Sequence, residues 1–160
     1  KMIDELSDFL RYSLLNNKVS DVPLKDELEA VQNYLTIEKI RFEDKLDVRF
    51  EVDAATQEFR VPGFLIHPLI ENAIKHGMQT SALPLQIKMS AHSDNGSLRL
   101  EVANTGCWSS PSDNDLGHSK GTGTGLENVR QRLEQIYPGR HRFEVFERDG
   151  WVHAELDIHK

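Results

Sequence analysis

Along the chain the apolar positions switch between a period near 3.6 and a period of two, and the switches mark out the elements. Ile3, Leu6, Leu10 and Leu14 share one face of a first helix, which the Asn16-Asn17 pair and Pro23 beyond it close. A short linker follows. Leu24, Leu28, Val31, Leu35 and Phe42 then line a second, longer helix. Asp26 and Glu27 fall early in it, where the helix dipole favours acids, and its polar face reads as solvated. "LDVRFEV", residues 46–52, alternates as a half-buried strand, and Pro62-Gly63 interrupts the chain before the helical period returns at Leu69, Ile70, Ala73 and Ile74.

"LPLQIKMSAH" and "SLRLEVAN" alternate on either side of Ser93-Asp94-Asn95-Gly96, strong hairpin chemistry. A further helix runs from about Leu126 to Tyr137 and stops at Pro138-Gly139, and "RFEVFE" and "WVHAELDI" flank a second hairpin signal at Asp149-Gly150. Strands that pair largely as antiparallel hairpins, with amphipathic helices needing a common face to bury, predict a two-layer α/β sandwich. Between Asn104 and Gly121 lies the one long irregular segment, of a length that in compact domains usually serves as a lid or is disordered.

Composition narrows this picture. At 160 residues the chain fits one domain burying about 70% of its unfolded surface. Its formal charge of -7 opposes a broad nucleic-acid footprint, and no Lys/Arg stripe interleaves with aromatics. No apolar run approaches the ~20 residues needed to cross a membrane. Cys107, the single cysteine, can form neither an internal disulfide nor a cysteine-rich zinc site, which suits a reducing compartment. The opening residues, Lys1-Met2-Ile3-Asp4, read as the middle of an amphipathic helix rather than a targeting segment, as in a fragment of a longer protein.

Two stretches carry candidate chemistry. In "LIENAIKHG" a poor interior helix former, Asn72, shares the polar face with Lys75 and His76. Asn72 can hydrogen-bond locally while Glu71 and Lys75 make an ordinary i,i+4 pair; alternatively Asn72 offers a neutral oxygen to Mg²⁺ and Lys75 meets phosphate. In "GTGTGLENVRQRL" the glycines Gly121, Gly123 and Gly125 stand directly before a helix, as a phosphate cradle or as a hinge. Thr124 with Glu127 also fits a capping box without any ligand. The stretch is not a Walker A loop, which needs Gly-Lys-Ser/Thr.

Together, "PLIENAIKHG", "LEVANTG" and "GTGTGLENVRQRL", in that order with a lid between the last two, resemble the N, G1 and G2 boxes of the GHKL ATPase superfamily. "LSDFLRYSL", "VPLKDELEAVQNYLTIEKIRFEDKL" and "VPGFLIHPLIENAIKHG" look like the LytS-type sensor histidine kinases, and the resemblance runs through nearly the whole chain. It implies a mixed, mainly antiparallel sheet packed against helices, with ATP held between helix, sheet and lid. Residues 1–20 then correspond to the end of the dimerisation and phosphotransfer helices and residues 21–160 to the ATP-binding catalytic domain.

By the same resemblance Asn72 chelates Mg²⁺, Glu71 is the candidate general base or water-orienting carboxylate, and Lys75 and His76 neighbour the phosphates. Asn104, Thr105 and Gly106 form the adenine end, while Gly121, Thr122, Gly123, Thr124, Gly125 and Leu126 close over the phosphates. The superfamily usually has Asp where this chain has Asn104, and often a Thr on the last strand, where residues 151–158 contain neither Ser nor Thr. An Asn amide still complements adenine, accepting from N6–H and donating to a ring nitrogen.

The family transfers phosphate to a histidine upstream of "LSDFLRYSL". None of His67, His76, His92, His118, His141, His153 and His159 is assigned that role. The resemblance thus implies a cytoplasmic domain of a membrane-anchored sensor, homodimeric at full length and serving a response regulator. The alternative is a degenerate kinase acting as a nucleotide-sensing or partner-binding module. A chaperone- or topoisomerase-type ATPase of the same superfamily is disfavoured by the kinase-like opening helices.

Overall fold

The computed structural model describes residues 21–108 and 124–159. The predicted first helix and most of the long irregular segment therefore lie outside the described residues. In chain order come β1 (Asp21–Pro23), α1 (Leu24–Phe42), β2 (Leu46–Val52), β3 (Arg60–Pro62), α2 (His67–Thr80), β4 (Leu85–Asp94), β5 (Ser97–Thr105), α3 (Thr124–Ile136), β6 (His141–Arg148) and β7 (Trp151–Ile158). The main sheet has the order β2-β4-β5-β7-β6, and β1 pairs with β3 in a separate two-stranded ribbon.

Both predicted hairpins form, each with a two-residue turn. Asn95 and Gly96 have φ of 51° and 82°, and Asp149 and Gly150 have 53° and 80°. Two consecutive positive φ values define the turn whose twist matches paired strands, which is why Asn-Gly and Asp-Gly occupy it. These turns dictate the antiparallel pairings β4–β5 and β6–β7, and β5 joins β7 antiparallel as well. β2 differs: it lies parallel to β4, from Leu46 opposite Leu85 to Val52 opposite Ala91. The sheet is mixed and mainly antiparallel.

Register then sorts the faces. Ile87, Met89 and Ala91 of β4 oppose Asn104, Val102 and Leu100 of β5, which in turn oppose Val152, Ala154 and Leu156 of β7. This face packs against Leu69, Ile70, Ala73 and Ile74 of α2 and Leu126, Val129 and Leu133 of α3, forming one core. Leu24, Leu28, Val31 and Leu35 bring α1 into the same core. The polar side of α1 is not simply solvated, however: Glu27 is 1% exposed and Glu38 is 9% exposed. Glu27, in the first turn of α1, also reaches beyond its own helix. Its carboxylate accepts hydrogen bonds from the amides of Phe64, Leu65 and Ile66, which lead into α2.

Two details of α2 have measurable consequences. Gly77 lies where a Cβ would come within 2.5 Å of Leu85 Cδ1 and 3.2 Å of Asn104 Nδ2. Leu85 is fully buried, so its side chain has little room to yield. Gly77→Ala should cost about 1–3 kcal/mol in denaturant unfolding, despite alanine's better helix propensity. A stabilised variant would contradict this packing.

His67, the first residue of α2, is buried, with its ring 4.5 Å from that of Tyr34 and 4.6 Å from that of Phe64. Burial pushes its pKa down to about 4. The Glu71 carboxylate 3.4 Å away favours the charged ring, but its side chain is 62% exposed and screened by water, so desolvation wins. The folded state therefore prefers neutral His67. That contribution is complete above the unfolded value near 6.5 and is lost as pH falls toward 4, by up to about 3 kcal/mol. Between pH 7 and pH 4 the stability of the parent should fall by that much more than that of His67→Gln. Parallel curves would contradict it.

Candidate functional site

The polar side of α2 divides into two lines of side chains at i,i+4 spacing. Glu71, Lys75 and Gln79, with Ile74 and Met78, turn toward α1 and line a cleft of about 400 Å³ with Tyr34, Glu38, Arg41 and Phe42. Asn72, His76 and Thr80 form the neighbouring line. Asn72 and His76 are half-buried, and the His76 ring lies 6.2 Å from that of Trp108 in an edge-on arrangement. Burial first, and the charge of Lys75 second, hold the His76 pKa below its ordinary value, so a neutral imidazole stands here at pH 7.

The end of β5 meets the C-terminal half of α2. Alternation puts Asn104 on the helix-facing side with Leu100 and Val102, so a polar residue, 4% exposed, closes an otherwise apolar row. Its Nδ2 donates to the Thr105 carbonyl at 2.9 Å. The Thr105 hydroxyl accepts from the Gln86 amide at 3.1 Å and shares a 2.6 Å hydrogen bond with the Ser81 hydroxyl. Gly106 has φ of 128°, and a Cβ there would collide with the Thr80 hydroxyl, so only glycine fits. The Thr80 hydroxyl donates to the His76 carbonyl at 3.0 Å and accepts from the Cys107 amide at 3.1 Å. The Gly106 amide donates to the Gly150 carbonyl at 3.0 Å. The strand exit is thus strapped onto both α2 and the β6–β7 turn.

Of the glycine-rich stretch, Gly121, Thr122 and Gly123 lie outside the described residues, as does the side chain of Thr124, and with it the capping box. Thr124 opens α3 and Leu126 is buried in the core. A Cβ at Gly125 would meet nothing within 4 Å, so packing does not require glycine there.

The structure therefore brings Asn104, Thr105 and Gly106 against the helix carrying Asn72 and His76. It turns Glu71 and Lys75 of the same helix toward α1. Gly77, Thr80 and Ser81 were not singled out as site residues from sequence, yet they form the α2 side of this junction. A glycine inside a helical period was the available signal, since it marks a close backbone approach. Thr80 and Ser81 offered none. Among the described residues no group of three or more His, Cys, Asp or Glu side chains is placed to hold a metal ion, and no helix is long and apolar enough to cross a membrane.

Comparison with known proteins agrees with this architecture. The family model described as histidine kinase matches residues 1–46. The chain is 33% identical over 146 residues to the sensor protein LytS of Staphylococcus haemolyticus, covering 86% of this chain and 24% of that protein. It is 27% identical over 166 residues to LytS of Bacillus subtilis, covering 100% of this chain and 26% of that protein. The chain thus spans about a quarter of the length of the curated relatives it matches.

Among solved structures, the catalytic domain of the histidine kinase ThkA superposes with a TM-score of 0.61 at 19% identity, covering 89% of this chain and 97% of that one. A histidine kinase domain from Erythrobacter litoralis gives 0.61 at 18% identity, covering 98% of this chain and 76% of that one. ThkA in complex with the response regulator protein TrrA gives 0.61 at 18% identity, covering 98% of this chain and 47% of that one. Along most of its length this chain matches the LytS-type sensor histidine kinases in sequence, and its described part has the GHKL fold of histidine kinase catalytic domains.

Proposed function

We propose that residues 21–160 bind ATP with Mg²⁺ and act as the catalytic domain of a two-component sensor histidine kinase, passing the γ-phosphate to a histidine upstream of this domain. The observation that carries this reading is the junction of α2 with the end of β5. There a buried Asn104 amide and the tight Gly77 and Gly106 contacts stand beside the half-buried Asn72 and His76. The two glycines let the Leu85, Asn104 and Thr80 side chains close against the backbone, which fixes α2 against the end of β5 and supports a preorganised site there.

The residues present fit such a ligand. Asn104 presents an amide able to pair with adenine, and Thr105 and Gly106 complete that end. Asn72 offers a neutral oxygen to Mg²⁺, an ion that keeps several waters and shares phosphate oxygens, so one protein ligand suffices. When bound, that ion supplies charge neutralisation at the phosphates. Lys75, exposed at the rim, adds a mobile positive charge, and neutral His76 offers a ring N–H without charge. Gly121, Thr122, Gly123, Thr124, Gly125 and Leu126 lead into the N-terminus of α3, whose amides and dipole favour an anion.

Glu71 is the candidate general base or water-orienting group, and His67 Nε2 lies 3.4 Å from its carboxylate. In phosphoryl transfer, positioning and charge stabilisation do most of the work, so a rigid α2 matters more than any single basic group. A homodimeric, cytoplasmic kinase domain delivering phosphate to a response regulator completes the reading.

A second reading, a nucleotide-sensing or partner-binding module that transfers no phosphate, draws on the last strand. Val152, the cross-strand neighbour of Asn104, is apolar, and residues 151–158 lack the Thr that the superfamily often carries on this strand.

Calorimetric titration of the chain with ATP, with and without Mg²⁺, separates the possibilities. Mg²⁺ should tighten ATP binding in the parent, and Asn72→Ala should remove most of that gain, a loss of about 1–3 kcal/mol or about 5- to 150-fold in Kd. Equal Mg²⁺ dependence in parent and variant would remove Asn72 as the metal ligand. Absence of ATP binding in the parent would overturn the kinase reading.

A further inference from the structure

The turn that launches α2 is held from two sides by charged groups on other helices. From α1, Glu27 Oε1 accepts the Phe64 amide at 2.5 Å, and Oε2 accepts the Leu65 and Ile66 amides at 3.1 and 3.2 Å. From α3, Arg132 donates through Nη2 to the Gly63 carbonyl at 2.5 Å and through Nη1 to the Phe64 carbonyl at 3.1 Å. Phe64, whose amide and carbonyl are both engaged, has φ of 62°. A bulky residue rarely adopts that left-handed conformation, and it persists only where the surroundings over-determine it.

The Phe64 ring lies 4.6 Å from that of His67, the first residue of α2, at a tilt of 34°. Arg132 sits seven residues beyond Gly125, about 10 Å along a rigid helix whose first turn follows the glycine stretch.

We infer that Glu27 and Arg132 are positioning residues: they form a clasp on Phe64 that fixes where α2 begins and makes the placement of α2 depend on the placement of α3. This rests on the reading of α2 and the start of α3 as two walls of one nucleotide site. Phe64 is the element with two arrangements. Held by both partners it stays left-handed, and released by either it relaxes toward ordinary backbone and lets the first turn of α2 open. The planar fork of Arg132 spans two successive carbonyls, a geometry that a lysine ammonium does not reproduce. Phosphate contact at the first turn of α3 thereby tightens the N-terminal half of α2, where Glu71 and Asn72 stand.

Hydrogen exchange on the full chain tests this in the parent, Arg132→Met and Arg132→Lys, each with and without saturating Mg²⁺-ATP. Without nucleotide, both variants should lose protection at amides 64–70 by about tenfold or more, while β4 and β5 amides keep theirs and report an intact fold. With nucleotide, the parent should gain protection both in α3 and at 64–70, whereas the variants gain it in α3 alone. Uniform loss throughout the sheet, or parent-like protection in Arg132→Lys, would overturn the clasp. A gain at 64–70 that survives in Arg132→Met would overturn the transmission. Failure of the parent to bind nucleotide would overturn the functional reading and the transmission with it, while the nucleotide-free comparison still decides the clasp.

Discussion

A carboxylate at 1% exposure, with three consecutive backbone amides as partners, sets the starting point of α2. Taking an ionised side chain out of water costs several kcal/mol unless hydrogen bonds replace the lost hydration. The Phe64, Leu65 and Ile66 amides do so, and they belong to the approach to a helix, where unsatisfied N–H groups and the dipole both favour negative charge. The arrangement has no slack. Moving the start of α2 by one residue would rotate its faces by about 100° and swing Asn72 and His76 away from the end of β5.

That constraint acts together with a second at the other end of the helix. Gly77 lets α2 descend onto Leu85 and Asn104, and Gly106 lets the strand exit pass beneath Thr80. Between the fixed start and the close approach, α2 has one position against the sheet. The half-buried Asn72 and His76 are thus carried on a helix whose place is set by backbone packing. Such a helix suits a site whose work is to place charge, because preorganised groups lose little in aligning with a ligand.

Much of this was legible in the sequence, and the reasons are local. Asn95-Gly96 and Asp149-Gly150 announce their hairpins because few other dipeptides accept two positive φ values. α1 and α2 follow from period, and the resemblance implied roles for Asn72 and Asn104 that stand as proposals. Non-local features were not legible. The parallel pairing of β2 with β4 leaves no turn signature, and β1 and β3 are three residues each, too short for a period. Glu27 carried a sufficient local explanation in its own helix dipole, so its reach to residues 64–66 was invisible. Arg132 likewise carried no local signal of its reach to Gly63 and Phe64. The polar face of α2 read as one surface, whereas the cleft beside α1 claims Glu71 and Lys75 and the His76 ring faces Trp108 instead.

The central claim is that nucleotide occupies the junction of α2 with the end of β5. An amide-resolved NMR titration with Mg²⁺-ATP tests it most directly. Shifts should concentrate at Asn72, His76, Asn104 to Gly106 and the first turn of α3, with the Ser93–Ser97 hairpin tip unmoved. Shifts confined instead to Tyr34, Glu38, Arg41 and Phe42 of the α1 cleft, or to the hairpin tip, would contradict it.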